Sequence, residues 1–113
     1  MSVEAATQVT EITVRIDDGN IYCTPDPVTV TAADCHLTFK LEARGYKFRD
    51  ENAIVVEDGG SEFPHPSQTS PDGLTATLCD ANEQAGNYKY SVYLKDASGR
   101  ILMVDPTITN DPE

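Results

Sequence analysis

Two histidines and three cysteines are the side chains of this sequence best suited to acid–base, nucleophilic or metal chemistry. Cys35 directly precedes His36, but successive residues of a strand point to opposite faces, so these two are not expected to form a catalytic pair. Cys23 and Cys79 have no base close to them in sequence. His36 alternates with polar residues at 38, 40 and 42, which indicates an exposed strand position. We therefore expect no thiol catalysis.

His65 lies between two prolines in a segment rich in carboxylates, and this is the best candidate for a metal or small-ligand site. Asp58, Glu62 and Asp72 are the oxygen donors that could join it. Residues 59–73 have three prolines and no periodicity, which predicts one long surface loop, either functional or simply mobile. The spaced ligands of an EF-hand are absent, and Asp18-Gly19 is explained by a tight turn. No cofactor is expected.

The most distinctive feature of the composition is its excess of acidic residues. The sequence has 8 basic and 19 acidic residues, for a net charge of −11, so nucleic acid and anionic membranes are poor partners. The stretch KLEARGYKFR is the exception, because it concentrates cations and aromatic rings. Tyrosine and arginine are enriched at protein interfaces. The sequence therefore predicts an interaction surface, for another protein or a second copy, that consists of Tyr46, Lys47, Phe48, Arg49 and Tyr93. The acidic run at residues 50–84, which has eight carboxylates and no Lys or Arg, would suit a basic partner.

The segment from residue 87 to 110 carries the clearest structural pattern. Tyr88, Tyr90, Val92 and Leu94 alternate with polar residues, so a strand would bury these four on one face. Residues 96–99 have the composition of a hairpin turn, and residues 101–104 form the expected return strand. The proline at 106 ends that strand, because proline has no N–H for the ladder.

Alternation elsewhere predicts several more strands. Inward positions are expected at Ile12, Val14 and Ile16, at Leu37, Phe39 and Leu41, and at Leu74, Ala76 and Leu78. Residues 53–57 form a continuous apolar run, which suggests a strand covered on both faces. Seven or eight short strands and no amphipathic helix of ten residues predict an all-β fold, an antiparallel immunoglobulin-like β-sandwich.

A chain of 113 residues fits one domain. We assign residues 8–110 to it, residues 1–7 to a flexible leader and residues 111–113 to a tail. The start of the chain has neither the basic residues nor the apolar run of a signal peptide, and no transmembrane segment is apparent. An odd number of cysteines without CxxC spacing is typical of reduced thiols. The expected location is the cytoplasm.

Segments near the end of the sequence resemble two known protein families. AGNYKYSVYL followed by VDPTITNDP resembles the DP-EP family of small uncharacterised bacterial proteins, with Asp-Pro pairs at 26–27, 105–106 and 111–112. That family implies a β-sandwich and no known activity. The layout is also similar to cupredoxins, but no histidine follows Cys79 and Met103 lies far downstream, so copper ligands are missing. With no GxSxG, HExxH or glycine-rich phosphate loop, we expect a non-enzymatic interaction module.

Overall fold

The computed structural model describes residues 9–31, 35–58 and 60–111, and these residues form a β-sandwich. They contain eleven strands and one short 3₁₀ helix, Gly60–Glu62. The strands are β1 (Val9–Asp17), β2 (Asn20–Thr24), β3 (Val28–Val30), β4 (Cys35–Glu42), β5 (Tyr46–Phe48), β6 (Ile54–Val56), β7 (Gln68–Thr69), β8 (Thr75–Asp80), β9 (Gly86–Asp96), β10 (Ile101–Val104) and β11 (Thr107–Asn110).

The first sheet has the strand order β2-β1-β4-β8-β7. β1 and β2 form a hairpin around Asp18 and Gly19, whose φ angles of 54° and 81° are those that a tight two-residue turn requires. The prolines at 25 and 27 then end β2, and the chain crosses to the other sheet as β3 before it returns as β4. β4 lies parallel to β1 because this return follows a full crossing.

The second sheet is built around β9, the longest strand. β10 and β11 both pair antiparallel with the same edge of β9, and Asp105-Pro106 interrupts the return strand between them. Across this gap the N–H of Tyr90 still donates to the carbonyl of Pro106 at 3.0 Å. β5 and β6 pair with the opposite edge of β9, and β3 adds in parallel to β11. The predicted hairpin is confirmed.

The core lies between the two sheets and follows the predicted alternation. Ile12, Val14, Leu37 and Phe39 from the first sheet are fully buried. Tyr90, Val92 and Leu94 of β9 are also fully buried and pack against them, while Tyr88 is half-buried. The rings of Phe39 and Tyr90 meet edge to face, with centroids 5.6 Å apart, which joins the sheets at the centre of the sandwich.

Some expectations differ from the structure. The all-β sandwich is confirmed, but it has eleven described strands rather than seven or eight, and the β1–β4 and β3–β11 pairings are parallel. Val55 is 39% exposed, so β6 is not covered on both faces. Leu74 is 43% exposed. β8 begins at Thr75, so Leu74 lies just outside the strand and does not reach the core.

Residues 59–73 are also more ordered than a single long loop. The described part contains the 3₁₀ turn and the short strand β7, and the side chains of Glu62 and Ser67 are buried. Residues 1–7 and the last two residues of the chain lie outside the described range. No helix long and apolar enough to cross a membrane occurs in the part of the chain that the structure describes.

Candidate interaction surface

The outer face of the second sheet collects the outward-pointing residues of β5, β6, β9 and β10. Because Tyr90, Val92 and Leu94 point into the core, the alternate residues of β9 face outward. The ladder sets Lys47 and Ile101 opposite Lys95, Met103 opposite Tyr93, and Val55 opposite Ser91. Ser91 itself is buried. We call this surface the basic face and define it as Lys47, Arg49, Val55, Lys89, Tyr93, Lys95, Ile101 and Met103.

Arg49 and Tyr93 form the centre of the basic face. The guanidinium carbon of Arg49 lies 3.9 Å from the centroid of the Tyr93 ring, a cation–π contact. The same guanidinium donates to the carbonyl oxygens of Glu51 at 3.0 Å and Asn52 at 2.7 Å. The backbone N–H of Arg49 donates to the carbonyl of Tyr93 at 3.1 Å. These contacts fix a cation and an aromatic ring in one orientation before any partner arrives.

Exposed apolar side chains continue the surface on both sides of Tyr93. Met103 is 50% exposed, Ile101 is 45% exposed and Val55 is 39% exposed, although all three belong to strands. Cross-strand neighbours on one face have Cβ atoms only about 5 Å apart, so these side chains adjoin Tyr93, Lys95 and Ser91. Exposed apolar side chains therefore lie next to Tyr93 and the lysines on this face.

The basic face has four of the eight basic residues of a chain whose net charge is −11. Lys47 and Lys95 are directly opposite each other, an arrangement that costs stability because like charges repel. Asp50 offsets part of this cost with an ion pair to Lys95 at 3.3 Å. Among the described residues, no carboxylate lies within ion-pair distance of Lys47 or Lys89. The Lys47 charge helps to lower the pKa of Asp72, after the hydrogen bonds to that carboxylate, so the positive charge of this surface is only partly compensated.

The outer face of the first sheet is different, because its charges neutralise each other. Lys40 pairs with Glu11 at 3.1 Å, and Arg15 pairs with Glu42 at 3.2 Å, in both cases between the neighbouring strands β1 and β4. Thr13, Thr38 and other small polar residues fill the positions between these pairs. On that face the cations of β1 and β4 are paired, and Tyr22, which lies opposite Arg15, is an exposed aromatic side chain.

The predicted interaction residues divide between this surface, the sheet edge and the core. Lys47, Arg49 and Tyr93 all belong to the basic face. Tyr46 is half-buried at the start of β5. Phe48 is a correction, because it is fully buried: the ladder places it opposite Leu94, on the inward side of β5. An aromatic residue next to lysine and arginine in sequence is here a core residue, since adjacent strand positions alternate.

The sequence analysis does not assign Val55, Ile101 and Met103 to the interaction surface. The register of the predicted hairpin is enough to set Ile101 and Met103 opposite Lys95 and Tyr93. The continuous apolar run at residues 53–57 predicts a buried Val55, but the structure leaves it 39% exposed, opposite Ser91 on β9.

The four predicted metal candidates are dispersed. Asp58 is exposed in the turn after β6, and His65 is exposed in the loop before β7. Asp72 closes a local turn, where its carboxylate accepts hydrogen bonds from Ser70 Oγ at 2.6 Å and from the N–H of Leu74 at 3.0 Å. These hydrogen bonds lower the pKa of Asp72. Within the described ranges, no group of three or more His, Cys, Asp or Glu side chains is arranged to hold a metal ion.

Glu62, the fourth candidate, instead belongs to a buried polar cluster. Its Oε1 accepts the backbone N–H groups of Glu83 at 2.8 Å and Gln84 at 3.2 Å. The side-chain amide of Asn110 donates to Glu62 Oε1 at 3.1 Å and to Asp80 Oδ1 at 3.0 Å, and so bridges two carboxylates. Burial and the Glu62 charge raise the pKa of Asp80 to about 6, against the opposing effect of its hydrogen bonds. Asp80 Oδ2 and Asn110 Oδ1 accept no hydrogen bond from a described residue.

One histidine–cysteine contact was also missed. His36 Nε2 lies 3.6 Å from Cys79 Sγ, because β4 and β8 pair these residues directly. The prediction considered only bases close in sequence, and this base comes from the neighbouring strand. His65 lines the same small cavity, of about 140 Å³, with His36 and Cys79.

No protein-family model matches the chain, and no curated protein matches it. The resemblances to the DP-EP family and to cupredoxins therefore stay predictions.

Proposed function

We propose that this protein is a non-enzymatic interaction module that binds an acidic protein partner through the basic face. The observation that carries this proposal is the fixed Arg49–Tyr93 stack beside the exposed side chains of Met103 and Ile101. Arginine and tyrosine contribute most to binding when they are preorganised near the centre of an interface, with apolar neighbours that exclude water.

Charge supports an acidic partner. Lys47 and Lys89 have no ion-pair partner among the described residues, and the repulsion between Lys47 and Lys95 is relieved when a carboxylate binds between them. The rest of the chain is itself strongly acidic, so a second copy meets the same requirement. A short acidic segment can contact the basic face alone, whereas nucleic acid and anionic membranes also extend over the rest of the molecule, whose net charge of −11 repels polyanions.

The free edge of β10 gives a partner a way to extend the sheet. β10 pairs with β9 on one side, and no described strand forms a ladder with its other side, although β2 of the first sheet lies close to β10. Its sequence, ILMV, has no charge and no proline, which are the usual protections of an exposed edge. An extended partner segment bound here would gain backbone hydrogen bonds and place its side chains next to Met103 and Ile101.

A reducing, cytoplasmic setting belongs to the same proposal. Cys23 and Cys79 are both free thiols, and free thiols persist where the cell keeps cysteines reduced.

The first test is selection from a peptide display library against the immobilised protein. We expect the enriched peptides to carry net negative charge together with aliphatic or aromatic residues. Met103→Glu and Lys95→Glu should weaken the selected peptides by about tenfold or more, the scale of one lost hot-spot contact. Tyr22→Glu is the matched control, because Tyr22 is 51% exposed on a strand of the first sheet and Met103 is 50% exposed. Peptides without a charge bias, or equal losses in both variants, would refute the proposal.

Self-association is tested separately by sedimentation velocity at about 50 mM and 500 mM salt, since screening shortens from about 14 Å to about 4 Å across this range. If the partner is a second copy, the wild-type protein should form dimers that Met103→Glu abolishes and Tyr22→Glu retains. A strict monomer at both salt concentrations removes the homotypic version and leaves the peptide result to decide the rest.

A further inference from the structure

The end of the sandwich next to the basic face contains a groove of about 790 Å³. Both sheets contribute to it, through the end of β4, the turn into β5, the residue before β8 and the turn after β9. Its apolar lining consists of Leu41, Ala43, Tyr46, Leu74 and Ala97. Leu74 is 43% exposed there, so its side chain is available to a ligand. The volume lies within the range of small-molecule sites, about 300 to 1,000 Å³.

Basic side chains outnumber acidic side chains in the lining of this groove. Arg44, Lys47 and Lys95 supply three cations. Within the described part of the chain, Arg44 and Lys47 form no ion pair, whereas Lys95 has one with Asp50. Asp72, outside the lining, is close enough for the Lys47 charge to help lower its pKa, so it offsets part of that charge. The lining itself has three cations and two carboxylates, which is a local reversal of sign in a chain of net charge −11.

The two acidic residues of the lining are already engaged. Glu42 pairs with Arg15 at 3.2 Å. Asp96 closes the β9–β10 turn, where its Oδ1 accepts the hydroxyl and N–H of Ser98 and the N–H of Arg100. These hydrogen bonds and the Arg100 charge lower the pKa of Asp96, which keeps it ionised and committed to the turn. Neither carboxylate is available to neutralise Arg44 or Lys47.

The position of Lys47 is set by the backbone beneath it. Gly73 has a φ of +74°, and a Cβ at that position would lie 2.9 Å from the Lys47 Cβ and 3.0 Å from its Cδ. The carbonyl of Gly73 accepts the N–H of Phe48 at 2.8 Å, which holds the two segments together. The aliphatic stem of Lys47 therefore lies across Gly73, because glycine leaves room for it.

From this arrangement we infer that the groove binds a small amphipathic carboxylate, with its alkyl or aryl group against Leu41, Tyr46 and Leu74 and its anionic head between Arg44 and Lys47. Arginine and lysine are the natural partners of a carboxylate, and both recognise it through charge-assisted hydrogen bonds. The inference goes beyond the proposed function, because the ligand is a small molecule and the groove requires Arg44 and Leu74, which lie outside the basic face.

The test is calorimetric titration of the folded protein at pH 7.5 with four probes: decanoate, decyltrimethylammonium, decanol and acetate. We expect decanoate to bind at least about tenfold more tightly than each of the others, since only decanoate supplies both the charge and the chain. A peptide ending in leucine, compared as free acid and amide, shows whether a chain terminus can supply the same carboxylate.

Variants then locate the bound probe. Arg44→Gln, Lys47→Gln and Leu74→Gln should each weaken decanoate by about fivefold to tenfold. Lys40→Gln is the matched control, because Lys40 is an exposed lysine of β4 outside both the groove and the basic face, and the affinity of this variant for decanoate should stay unchanged. Equal binding of decanoate and decyltrimethylammonium, no binding of decanoate, or equal losses in Lys40→Gln would overturn the inference. Lys47 and Lys95 belong to both surfaces, but Met103 lies outside the groove, so the peptide loss in Met103→Glu tests the basic face independently of these results.

Discussion

Replacing Asp80 with asparagine is expected to flatten the pH dependence of folding stability between pH 5 and pH 7.5. Asp80 is fully buried, and its carboxylate shares the amide of Asn110 with Glu62. Burial and the nearby Glu62 charge raise its pKa from the ordinary 3.8 to about 6. The folded state therefore holds a proton at pH 5 that the unfolded chain has largely released.

The sign and size follow from this difference. Stability from a raised carboxyl pKa is fully present below the unfolded pKa of 3.8 and is lost as the pH rises through the folded pKa of about 6. Two pKa units correspond to about 3 kcal/mol in total, of which about 1.4 kcal/mol is lost between pH 5 and pH 7.5. Asp72 and Asp96, whose pKa values are lowered, stay ionised throughout this window and do not contribute to the slope.

The assay is urea denaturation followed by far-ultraviolet circular dichroism at half-unit steps from pH 5 to pH 7.5. Asp80→Asn keeps the shape of the side chain and supplies an N–H donor in a cluster where Asn110 Oδ1 has no described donor. We expect the variant to lose the slope and to be more stable than the wild type at pH 7.5. Asp17→Asn, at an exposed carboxylate, controls for the change in net charge. Parallel wild-type and Asp80→Asn curves would refute the reasoning.

Three further predictions concern separate parts of the molecule. Tyr90→Phe should leave stability unchanged or raise it by about 1 kcal/mol in urea denaturation, because the buried Tyr90 hydroxyl has no hydrogen-bond partner among the described residues; a loss above that size would show a missed partner. Iodoacetamide at pH 8 should alkylate Cys79 well before Cys23, as read by mass spectrometry, since burial raises the pKa of Cys23 to about 12; the reverse order would contradict this. Excess calcium, zinc or copper should not raise the melting temperature relative to chelator, because the candidate ligands around His65 are dispersed; a clear rise would restore the metal-binding alternative.

Much of the fold followed from alternation within single strands. The burial of Ile12, Leu37, Phe39, Tyr90 and Leu94 needed only the two-residue period of a strand with one face in the core. The turns at Asp18-Gly19 and at residues 96–99 needed only the conformational preferences of their residues. These features depend only on residues that are close together in the sequence, so the sequence alone is enough to predict them.

What could not be predicted depends on pairing between distant segments. The parallel placement of β4 beside β1 results from a crossing through the other sheet, which no local pattern encodes. The His36–Cys79 contact joins residues 43 positions apart, and the Asn110 bridge to Glu62 joins residues 48 positions apart. Glu62 is a structural residue because it shares the side-chain amide of Asn110 with Asp80. Sequence spacing does not reveal this contact.

The basic face shows how the two kinds of information combine. Tyr93 and Arg49 were identified from residue type, and Phe48 was included wrongly because type alone does not assign a face. Once β5, β9 and β10 are placed side by side, Lys95 lies opposite the apolar Ile101 on one side and opposite Lys47 on the other. A surface that served only solubility would pair its charges, as Arg15 and Glu42 do on the other sheet. The contrast between two outer faces of one sandwich therefore argues for a partner on the basic face more strongly than any single residue does.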